Sequence, residues 1–551
     1  MDEFDYIVVG AGSAGCVMAA RLSENGRHSV LLLEAGPADR YPWIHVPIGY
    51  AKTMFNPEVN WMFRTDPDPG MNGRQVYWPR GKTLGGSSAI NGLIFIRGQR
   101  EDYDDWAALG NDQWSYDKVL PWFRKLEHNV AGADAWRGTG GPLWCSPIRA
   151  AHPLIDAVIA ACGQIDIPRN DDFNGERQEG AGYFQLTTRR GLRCSTAVAY
   201  LKPARGRPNL RIETRAQATR VLFEGRRACG IEYRSDVHAS HDGAGTVSAS
   251  GVSVQTGPLR TARARREVIL CAGALQTPQL LQLSGIGDPA LLRRFDIDVV
   301  QALPGVGENL QDHLQARVMF RCALPVTTND QLASLWGRMR IGAQYLLSRD
   351  GPIAIGINQG GIFARTQPGL TRPDVQFHVA TLSADMAGSP VHRFSGFTMS
   401  VCQLRPESRG FVRITSADPL QPPSMQPYYL STELDQRTMI DGVKLARRIA
   451  AAPALQGFIA SEYAPGQQAE DDAALLEFVR NNGGTIFHPS GTCKMGDDAQ
   501  AVVDQRLRVR GVDGLRVVDC SIMPTLVSGN TNVPAVMIAE RAADFVLRDA
   551  A

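Results

Sequence analysis

The chain has 551 residues, of which 44% are hydrophobic and 21% charged, and its formal net charge is only +2. This length exceeds what one compact core usually serves, so we expect two structural regions. A near-neutral balance excludes a nucleic-acid-binding protein, which would need a basic face. The ten cysteines show no CxxC pair and no metal-ligand spacing. We therefore expect reduced thiols and no metal site.

The start of the chain passes from Met-Asp-Glu-Phe-Asp directly into an apolar strand, without the basic segment that opens a signal peptide. No run of about 18 apolar residues indicates a membrane span. We therefore expect a cytoplasmic protein. Peripheral contact with the inner face of a membrane stays open, because a patch assembled from distant segments is invisible in the sequence. The oligomeric state stays open as well.

The N-terminal segment predicts a βαβ unit, with strands over residues 6–10 and 29–34 and a helix over residues 13–26. The turn between the first strand and the helix reads Gly10-Ala-Gly-Ser-Ala-Gly15, and Glu34 ends the second strand. Such glycines let the backbone approach a pyrophosphate at the helix N-terminus, and the acid can accept hydrogen bonds from a ribose diol. The unit predicts dinucleotide binding, and by itself it leaves both FAD and NAD open.

Further along the chain the character changes. Residues 37–150 favour loops and short helices, and the Gly/Ser/Thr/Arg-rich residues 235–264 favour a flexible hairpin or loop excursion. Residues 320–480 alternate between polar and apolar side chains, which indicates antiparallel strands, with helices over residues 432–451 and 472–482. The predicted domains are a discontinuous nucleotide-binding domain, residues 1–155, 195–315 and 485–551, and a substrate domain, residues 156–194 and 316–484.

Two long motifs resemble the signatures of the glucose–methanol–choline (GMC) oxidoreductase family: Gly81-Lys-Thr-Leu-Gly-Gly-Ser-Ser-Ala-Ile-Asn91 and Gly273-Ala-Leu-Gln-Thr-Pro-Gln-Leu-Leu-Gln-Leu-Ser-Gly-Ile-Gly287. The resemblance runs from about Asp5 to Phe545. It implies an α/β, Rossmann-like FAD-binding domain and an α+β substrate domain built on an antiparallel sheet with helices. It also implies FAD contacts at Gly10, Gly12, Ser13, Ala14, Gly15, Glu34, Ala35, Arg80, Thr83, Leu84, Gly85, Gly86, Asn91, Gly92, Ile94, Val221, Ala272, Gly273, Asp519, Cys520, Asn532 and Pro534.

The mode of FAD attachment follows from one position of the first motif. In the family, the loop at Gly85 and Gly86 runs beside the flavin, where side chains would block a planar ring. Some members attach the flavin covalently through a histidine in this loop. This sequence has Ile90 at the corresponding position, so we predict non-covalent FAD.

Two segments near the end of the chain resemble the catalytic segments of the family. Phe487-His488-Pro-Ser-Gly-Thr492 matches the segment with the catalytic histidine, and Gly529-Asn530-Thr-Asn-Val-Pro534 matches its partner. The resemblance makes His488 the base for the hydroxyl proton and Asn530 the donor that orients the alcohol over flavin N5. A helix beginning near Asn532 would stabilise reduced flavin with its positive end.

The remaining histidines are more often structural in a chain of this kind, and we interpret His152, His238, His241 and His313 in that way. For His378 both interpretations stay open, because it lies in an alternating strand and the family has pocket residues near this position. The predicted substrate pocket comprises Asn358, Gln359, His378 and Phe487.

Local sequence around Asn60, Trp78 and Phe173 is similar to bacterial family members that act on aliphatic primary alcohols. Sorbose, polyether and choline dehydrogenases are related alternatives. Choline-oxidising relatives have a glutamate where this chain has Asn358, and an amide does not compensate a quaternary ammonium. The sequence therefore favours oxidation of a primary aliphatic, polyol or polyether alcohol over oxidation of choline.

Three alternatives remain at this point. The same reaction can end on O₂, as in an alcohol oxidase, although we favour a dehydrogenase that uses a quinone or another carrier. A hydroxynitrile-lyase-like enzyme can use the same scaffold and keep FAD as a relic. A photochemical decarboxylase is a further variant of the family, and such enzymes lack the histidine assigned here as His488.

Overall fold

The computed structural model describes residues 2–149, 151–240, 246–247, 253–385 and 388–550. Its longer helices, in chain order, are α1 (Ser13–Leu22), α2 (Arg100–Ala108), α3 (Tyr116–Leu126), α4 (Pro153–Gly163), α5 (Gly273–Leu283), α6 (Leu335–Ser348), α7 (Glu433–Ala450), α8 (Asp472–Asn482) and α9 (Asn532–Asp549). Short helical segments occur at Pro42–His45, Tyr50–Thr53, Lys202–Ala204, Pro289–Arg293 and Thr328–Ala333.

Fourteen strands build two large sheets in the described part of the chain. They are β1 (Asp2–Val9), β2 (Val30–Leu33), β3 (Gly180–Tyr183), β4 (Leu210–Glu213), β5 (Gln217–Glu224), β6 (Arg227–Arg234), β7 (Leu259–Leu270), β8 (Leu314–Cys322), β9 (Asn358–Ala364), β10 (Val375–Ala380), β11 (Gly396–Gln403), β12 (Ile459–Ala464), β13 (Gly484–Thr485) and β14 (Leu515–Val517). Shorter pairs include Phe63–Arg64 with Tyr77–Trp78 and Phe411–Arg413 with Ser424–Gln426.

The first sheet has the order β4-β2-β1-β7-β6-β5, and β14 pairs with β7. Its strands β4, β2, β1, β7 and β14 are parallel to one another, whereas β5 and β6 form an antiparallel hairpin at the edge. Strand β2 is buried along its whole length and its sequence is continuously apolar, as is usual for the strands of a parallel sheet. Helices α1 and α9 pack against each other on one face.

The parallel arrangement places the site. Because parallel strands end at the same edge of a sheet, the residues after β1 and β7 lie side by side. The backbone of Cys271 donates to the carbonyl of Val9 at 2.8 Å at this edge. Helices α1 and α5 both begin immediately beyond it.

The second sheet is antiparallel, with the order β12-β8-β11-β10-β9-β3, and β13 pairs with β8. Helix α7 packs on β11, and α4 packs on β3 and β9. The apolar side chains between these helices and the sheet form the second hydrophobic core. The opposite face carries polar side chains and is turned toward the first domain.

The fold class expected from the resemblance is confirmed, and so is the βαβ unit at the N-terminus. The helix predicted over residues 472–482 has the same ends in the structure. The first helix is shorter than predicted and ends at Leu22, because the backbone turns before Gly26, which has a φ of +69°. The strands of the first sheet come from residues 2–33, 210–270 and 515–517. Those of the second sheet come from residues 180–183 and 314–485. The exact domain boundaries stay a prediction.

The loop predicted over residues 235–264 is wrong in its last part, where the long strand β7 begins at Leu259. Alanines at 262 and 264 alternate there with exposed arginines, and the two neighbouring strands, β1 and β6, supply the backbone partners. Before it, short strands lie at His238–Ser240, Thr246–Val247 and Ser253–Gln255. The rest of this prediction, with His241, lies outside the described residues.

All ten cysteines are free, as the sequence indicates. Among the described residues, no helix combines the length and apolarity that a bilayer crossing requires.

Candidate active site

Two glycines of the turn after β1, Gly10 and Gly15, cannot be replaced without a clash. Gly10 has a φ of +95°, and a Cβ on it would lie 2.7 Å from the carbonyl oxygen of Cys271. A Cβ on Gly15 would lie 1.8 Å from the carbonyl oxygen of Gly10. The turn therefore brings bare backbone against the N-terminus of α1, which is the arrangement that binds a pyrophosphate.

Glu34 directly follows β2 beside this turn and is buried. One carboxylate oxygen accepts from the backbone N–H of Ala11 and the other from that of Gly36, both at 2.9 Å. Burial raises the pKa of this carboxyl group to about 7. Each oxygen keeps a lone pair beyond these two bonds, and Glu34 and Ala35 both line the central cavity. The residue can therefore accept hydrogen bonds from a ribose.

The Gly85–Gly86 loop packs directly on the glycine turn. Both residues have positive φ, +92° and +50°, and a Cβ on Gly86 would lie 2.6 Å from the Cα of Gly12. The backbone N–H of Gly85 donates to the carbonyl of Ala11 at 2.8 Å. Only glycine allows two backbone segments to meet in this way.

Three helices begin around the same space. The Ser13 hydroxyl of α1 donates to the side-chain oxygen of Asn532, the first residue of α9, at 2.7 Å. The backbone N–H of Gly273, which opens α5, donates to Asp519 at 2.8 Å. The positive ends of α1, α5 and α9 thus face one cavity, which suits a ligand that carries phosphates and becomes anionic when reduced.

A cavity of about 770 Å³ joins the two halves of the site. Sixteen of the predicted cofactor residues line it, namely Gly10, Gly12, Ser13, Ala14, Glu34, Ala35, Arg80, Gly86, Asn91, Gly92, Ile94, Ala272, Gly273, Asp519, Cys520 and Asn532. The same cavity is lined by His488, Asn530, Asn358, Gln359, His378 and Phe487. Cofactor motifs and catalytic residues therefore share one continuous space.

Six predicted cofactor residues do not line this cavity: Gly15, Thr83, Leu84, Gly85, Val221 and Pro534. The two glycines act through the backbone packing described above. The backbone N–H of Val221 donates to the Ser284 hydroxyl at 2.8 Å. Gln217 and Ala218 form the cavity wall on β5 instead. These two residues precede Val221 on the same strand.

The protonation state of His488 is set by a second histidine. Nε2 of His313 lies 2.9 Å from the carbonyl oxygen of Leu404, which can only accept, so a neutral His313 carries its proton there. Its Nδ1 is then an acceptor and lies 2.9 Å from Nδ1 of His488. His488 therefore carries its own proton on Nδ1, and Nε2 keeps a free lone pair.

Asn530 faces that lone pair. Its amide nitrogen lies 3.4 Å from Nε2 of His488, and its amide oxygen accepts from the Gln376 side chain at 3.3 Å. Gln376 thus orients the amide so that its N–H groups point toward the reaction space. A base and a hydrogen-bond donor are therefore fixed side by side at the cavity wall.

The electrostatic environment keeps His488 neutral. Burial holds its pKa well below the usual histidine value of 6.5, and the nearby His313, His378 and Arg80 act in the same direction. Burial lowers the pKa of both His313 and His378 to about 4. At neutral pH the site therefore contains three uncharged imidazoles, and His488 is ready to accept a proton.

A buried carboxylate holds the backbone of His488 in place. The backbone N–H of His488 donates to one oxygen of Asp312 at 2.7 Å. The other oxygen accepts from the Thr485 hydroxyl at 2.5 Å and from the Tyr429 hydroxyl. Arg80 donates to the carbonyl of Phe487 at 2.6 Å, and Phe487 has a φ of +73°. Together these contacts hold Phe487 in a left-handed backbone conformation, which is energetically unfavourable for a residue with a large side chain.

The sequence pattern alone does not predict this support. The run Gln311-Asp312-His313 precedes β8, and we interpreted His313 as structural, whereas the structure brings it into the site. The available signal was three consecutive polar residues flanked by the leucines at 310 and 314. Gln376 and Arg317 were also missed, because their roles depend on which face of the second sheet meets the cavity.

The fold and the site define a dinucleotide-binding oxidoreductase. Two family models, both described as GMC oxidoreductase, match residues 4–315 and 406–539. The chain therefore belongs to the GMC oxidoreductase family, and its cofactor is FAD, which the glycine turn, Glu34 and the three helix N-termini fit.

Curated relatives match the chain over nearly its whole length. The mitochondrial choline dehydrogenase of Mus musculus is 43% identical over 99% of this chain and 89% of its own length. An oxygen-dependent choline dehydrogenase of Ectopseudomonas mendocina is 44% identical, with 99% and 94% covered. The alcohol dehydrogenase [acceptor] of Pseudomonas putida is 42% identical, with 99% and 96% covered.

Solved structures agree with this assignment. Pyridoxine 4-oxidase from Mesorbium loti is 30% identical, with a TM-score of 0.86 and 98% of both chains covered. Formate oxidase from Aspergillus oryzae, solved in a study of FAD modification, is 25% identical with a TM-score of 0.90, and 100% of this chain and 98% of that chain are covered. The protein is thus an FAD-dependent GMC oxidoreductase of the alcohol- and choline-oxidising kind.

Proposed function

We propose that this enzyme oxidises uncharged primary alcohols, of the aliphatic, polyol or polyether type, to aldehydes. The observation that carries the proposal is the pairing of His488 and Asn530, whose facing nitrogens lie 3.4 Å apart on the wall of the cavity. A free imidazole lone pair beside an amide donor matches the two needs of alcohol oxidation, removal of the hydroxyl proton and orientation of the resulting alkoxide.

The FAD would be held by the elements that the glycine motifs build. Glu34 would accept from the ribose, the N-terminus of α1 would face the pyrophosphate, and the N-terminus of α9 would face the flavin. Bound FAD supplies the acceptor for the hydride that leaves the alcohol α-carbon.

The protein residues handle the proton and the orientation. Nε2 of His488 takes the hydroxyl proton as the C–H bond breaks, and the positive charge spreads over the ring whose Nδ1–H is held by His313. Asn530 donates to the alcohol oxygen and holds the α-carbon in one orientation. The products are an aldehyde, a protonated His488 and two-electron-reduced FAD, so atoms and electrons balance.

Choline is disfavoured as a substrate by the charges of the cavity, although several relatives are choline dehydrogenases. On the second sheet, Arg317 of β8 pairs across the strands with Ser400 of β11, which pairs with His378 of β10. Arg317 lines the cavity, its pKa is lowered by burial, and no carboxylate is among the described groups that act on it. A guanidinium repels a quaternary ammonium, and the neutral Asn358 does not compensate it.

The electron acceptor in this proposal is a quinone or another carrier. The names of the relatives are compatible with either a carrier or O₂ as the electron acceptor. One relative is an alcohol dehydrogenase [acceptor] and another is an oxygen-dependent choline dehydrogenase. The wall around Ile486 and Phe487 is part of the cavity that O₂ would have to enter.

The test is anaerobic reduction of the FAD-loaded protein, followed by flavin absorbance. We expect bleaching by butan-1-ol and diethylene glycol and no bleaching by choline at equal concentration. Asn358→Glu adds a carboxylate to the same wall and should raise the rate with choline relative to butan-1-ol. Faster bleaching of the parent protein by choline than by either neutral alcohol would overturn the substrate assignment.

The same sample then tests the acceptor. Air and a soluble quinone are mixed separately with the reduced protein, and the return of flavin colour is timed. We expect the quinone to restore the colour faster. Equal or faster recovery in air identifies an oxidase.

A further inference from the structure

Helix α6 turns a strip of large apolar side chains toward solvent. Leu335, Trp336, Met339, Leu346 and Leu347 are 73%, 80%, 55%, 73% and 88% exposed. At about 100° of rotation per residue these five positions fall within an arc of about 120° on one side of the helix. They form a continuous surface, which we name the α6 strip. Water-exposed strips of this size mark an interaction surface.

The opposite side of α6 is well packed, so the strip is a property of the folded protein. Ile341 and Tyr345 are buried beneath the helix. The Tyr345 hydroxyl donates to the carbonyl of Gly191 at 3.1 Å, and the Ser334 hydroxyl caps the helix by accepting from the N–H of Gly337 at 2.9 Å.

The charged residues of α6 itself are both positive. By helical position Arg338 and Arg340 border the α6 strip on its two sides, and Arg349 follows the last helical residue. The sequence of the helix contains no aspartate or glutamate. An apolar strip bordered by arginines is the pattern of a helix that lies in the surface of an anionic membrane, with its axis parallel to the bilayer.

The position of α6 relative to the active-site cavity adds a second observation. Leu332, Arg338 and Ile341 line the same cavity as His488 and Asn530. Arg338 is also exposed, so the cavity reaches the protein surface at the border of the α6 strip. Whatever the strip contacts therefore lies at the entrance to the site.

We propose that the α6 strip docks the enzyme on an anionic phospholipid bilayer. The apolar side chains enter the headgroup region, the flanking arginines meet lipid phosphates, and the cavity entrance faces the lipid. The docking itself is independent of the proposed substrate. Combined with the proposed function, it lets an amphiphilic alcohol or a lipid-soluble quinone pass from the bilayer to His488 without crossing bulk water.

The test is co-sedimentation of the FAD-loaded protein with phosphatidylcholine vesicles, with and without phosphatidylglycerol. We expect binding to the phosphatidylglycerol vesicles that weakens as salt rises. The variant Leu346→Ser/Leu347→Ser should bind at least about tenfold more weakly, and Arg340→Gln should bind phosphatidylglycerol vesicles more weakly than the parent does. Leu434→Ser, at a 48% exposed leucine of α7, is the matched control and should bind like the parent.

Activity of Leu346→Ser/Leu347→Ser on butan-1-ol with a soluble dye should equal that of the parent, which separates docking from the chemistry. Sedimentation equilibrium tests the competing occupant, a second copy of the chain. A parent protein that stays in the supernatant with every vesicle overturns the proposal, as does a double variant that binds like the parent. A dimer that the double variant dissociates, without vesicle binding, assigns the strip to self-association instead.

Discussion

The proposed chemistry depends on one atom, Nε2 of His488, and on the hydrogen bond at Nδ1 that leaves its lone pair free. Nδ1 of His313 accepts a hydrogen bond from the Nδ1–H of His488, because the Nε2–H of His313 donates to the carbonyl of Leu404. Neither ring is charged at neutral pH, since burial lowers the pKa of both. The site thus holds a neutral base in a defined tautomer before the substrate arrives.

The first prediction concerns the pH dependence of kcat/KM. Because the pKa of His488 lies well below its ordinary value of 6.5, the base is already unprotonated throughout the range where a free histidine titrates. We expect kcat/KM for a neutral alcohol to stay level as pH falls through 6.5 and to decline only at lower pH. An acid limb centred at or above 6.5 would contradict the buried, neutral His488.

The second prediction separates the orienting role of His313 from mere packing. His313→Phe removes the acceptor for the Nδ1–H of His488, and we expect kcat to fall about tenfold or more, short of the 10²–10⁴-fold loss expected when the base itself is removed. His313→Gln can accept from His488 and donate to Leu404, so it should recover most of this loss. Both variants should hold FAD like the parent. Equal kcat in the Phe and Gln variants would leave His313 without an orienting role.

At this scale the sequence pointed to two of the residues that line the cavity, but not to those that support them. His488 and Asn530 stand in segments with a family pattern. The contacts of His313, Gln376 and Arg317 join segments up to 175 residues apart. No local pattern in the chain specifies such pairings.

At the scale of elements, the site forms where backbone segments come into direct contact, and only glycine allows so close an approach. The turn at Gly10–Gly15 and the loop at Gly85–Gly86 lie in van der Waals contact. The strands β1 and β7 determine where this meeting occurs, since both end at one edge of the sheet. Helices α1, α5 and α9 begin there for the same reason.

The third prediction concerns FAD retention. Gly15→Ala places a Cβ 1.8 Å from the carbonyl oxygen of Gly10, so the turn must shift and α1 must move away from the pyrophosphate site. We expect purified Gly15→Ala to contain less than about a tenth of the FAD of the parent, measured as the ratio of flavin to protein absorbance. Gly206→Ala, where a Cβ meets nothing within 4 Å, is the control. Full FAD content in Gly15→Ala would contradict the assigned turn.

Elements whose sequence has a strong hydrophobic periodicity were predicted well. Elements that form only because neighbouring strands pair with them were not. The helix predicted over residues 472–482 has the same ends as α8. Strand β7 begins in an arginine-rich segment of weak strand character, and it is a strand because β1 and β6 pair with it on either side. Tertiary pairing overrides local preference in such a segment.

At the scale of the whole molecule, one cavity connects the parallel sheet, which supplies the cofactor elements, with the antiparallel sheet, which supplies the polar wall. The length of the chain predicted two structural regions, and the resemblance predicted their architecture. The orientation of the second sheet toward the first, which brings Arg317 and His378 to the cavity, follows from packing between distant segments and was not predictable from local pattern.

The fourth prediction concerns the attachment of FAD to the folded protein. Ile90 is buried and lines the cavity at the position where some relatives attach the flavin, and its side chain has no nucleophile. We expect acid precipitation to release all the yellow colour into the supernatant, as measured by its absorbance. Flavin that stays with the precipitated protein would show a covalent bond and contradict this prediction.

The assignment of His488 as the base is tested most directly by the rate of flavin reduction by butan-1-ol. The rate is measured by stopped flow without oxygen, in His488→Ala and in the parent. With equal FAD content, the account predicts a rate about 10²–10⁴-fold lower in the variant, because the hydroxyl proton has lost its acceptor. His128→Ala, at a histidine stacked on Trp144 away from the cavity, should reduce at the parental rate. Equal reduction rates in His488→Ala and the parent would contradict the assignment of His488 as the base.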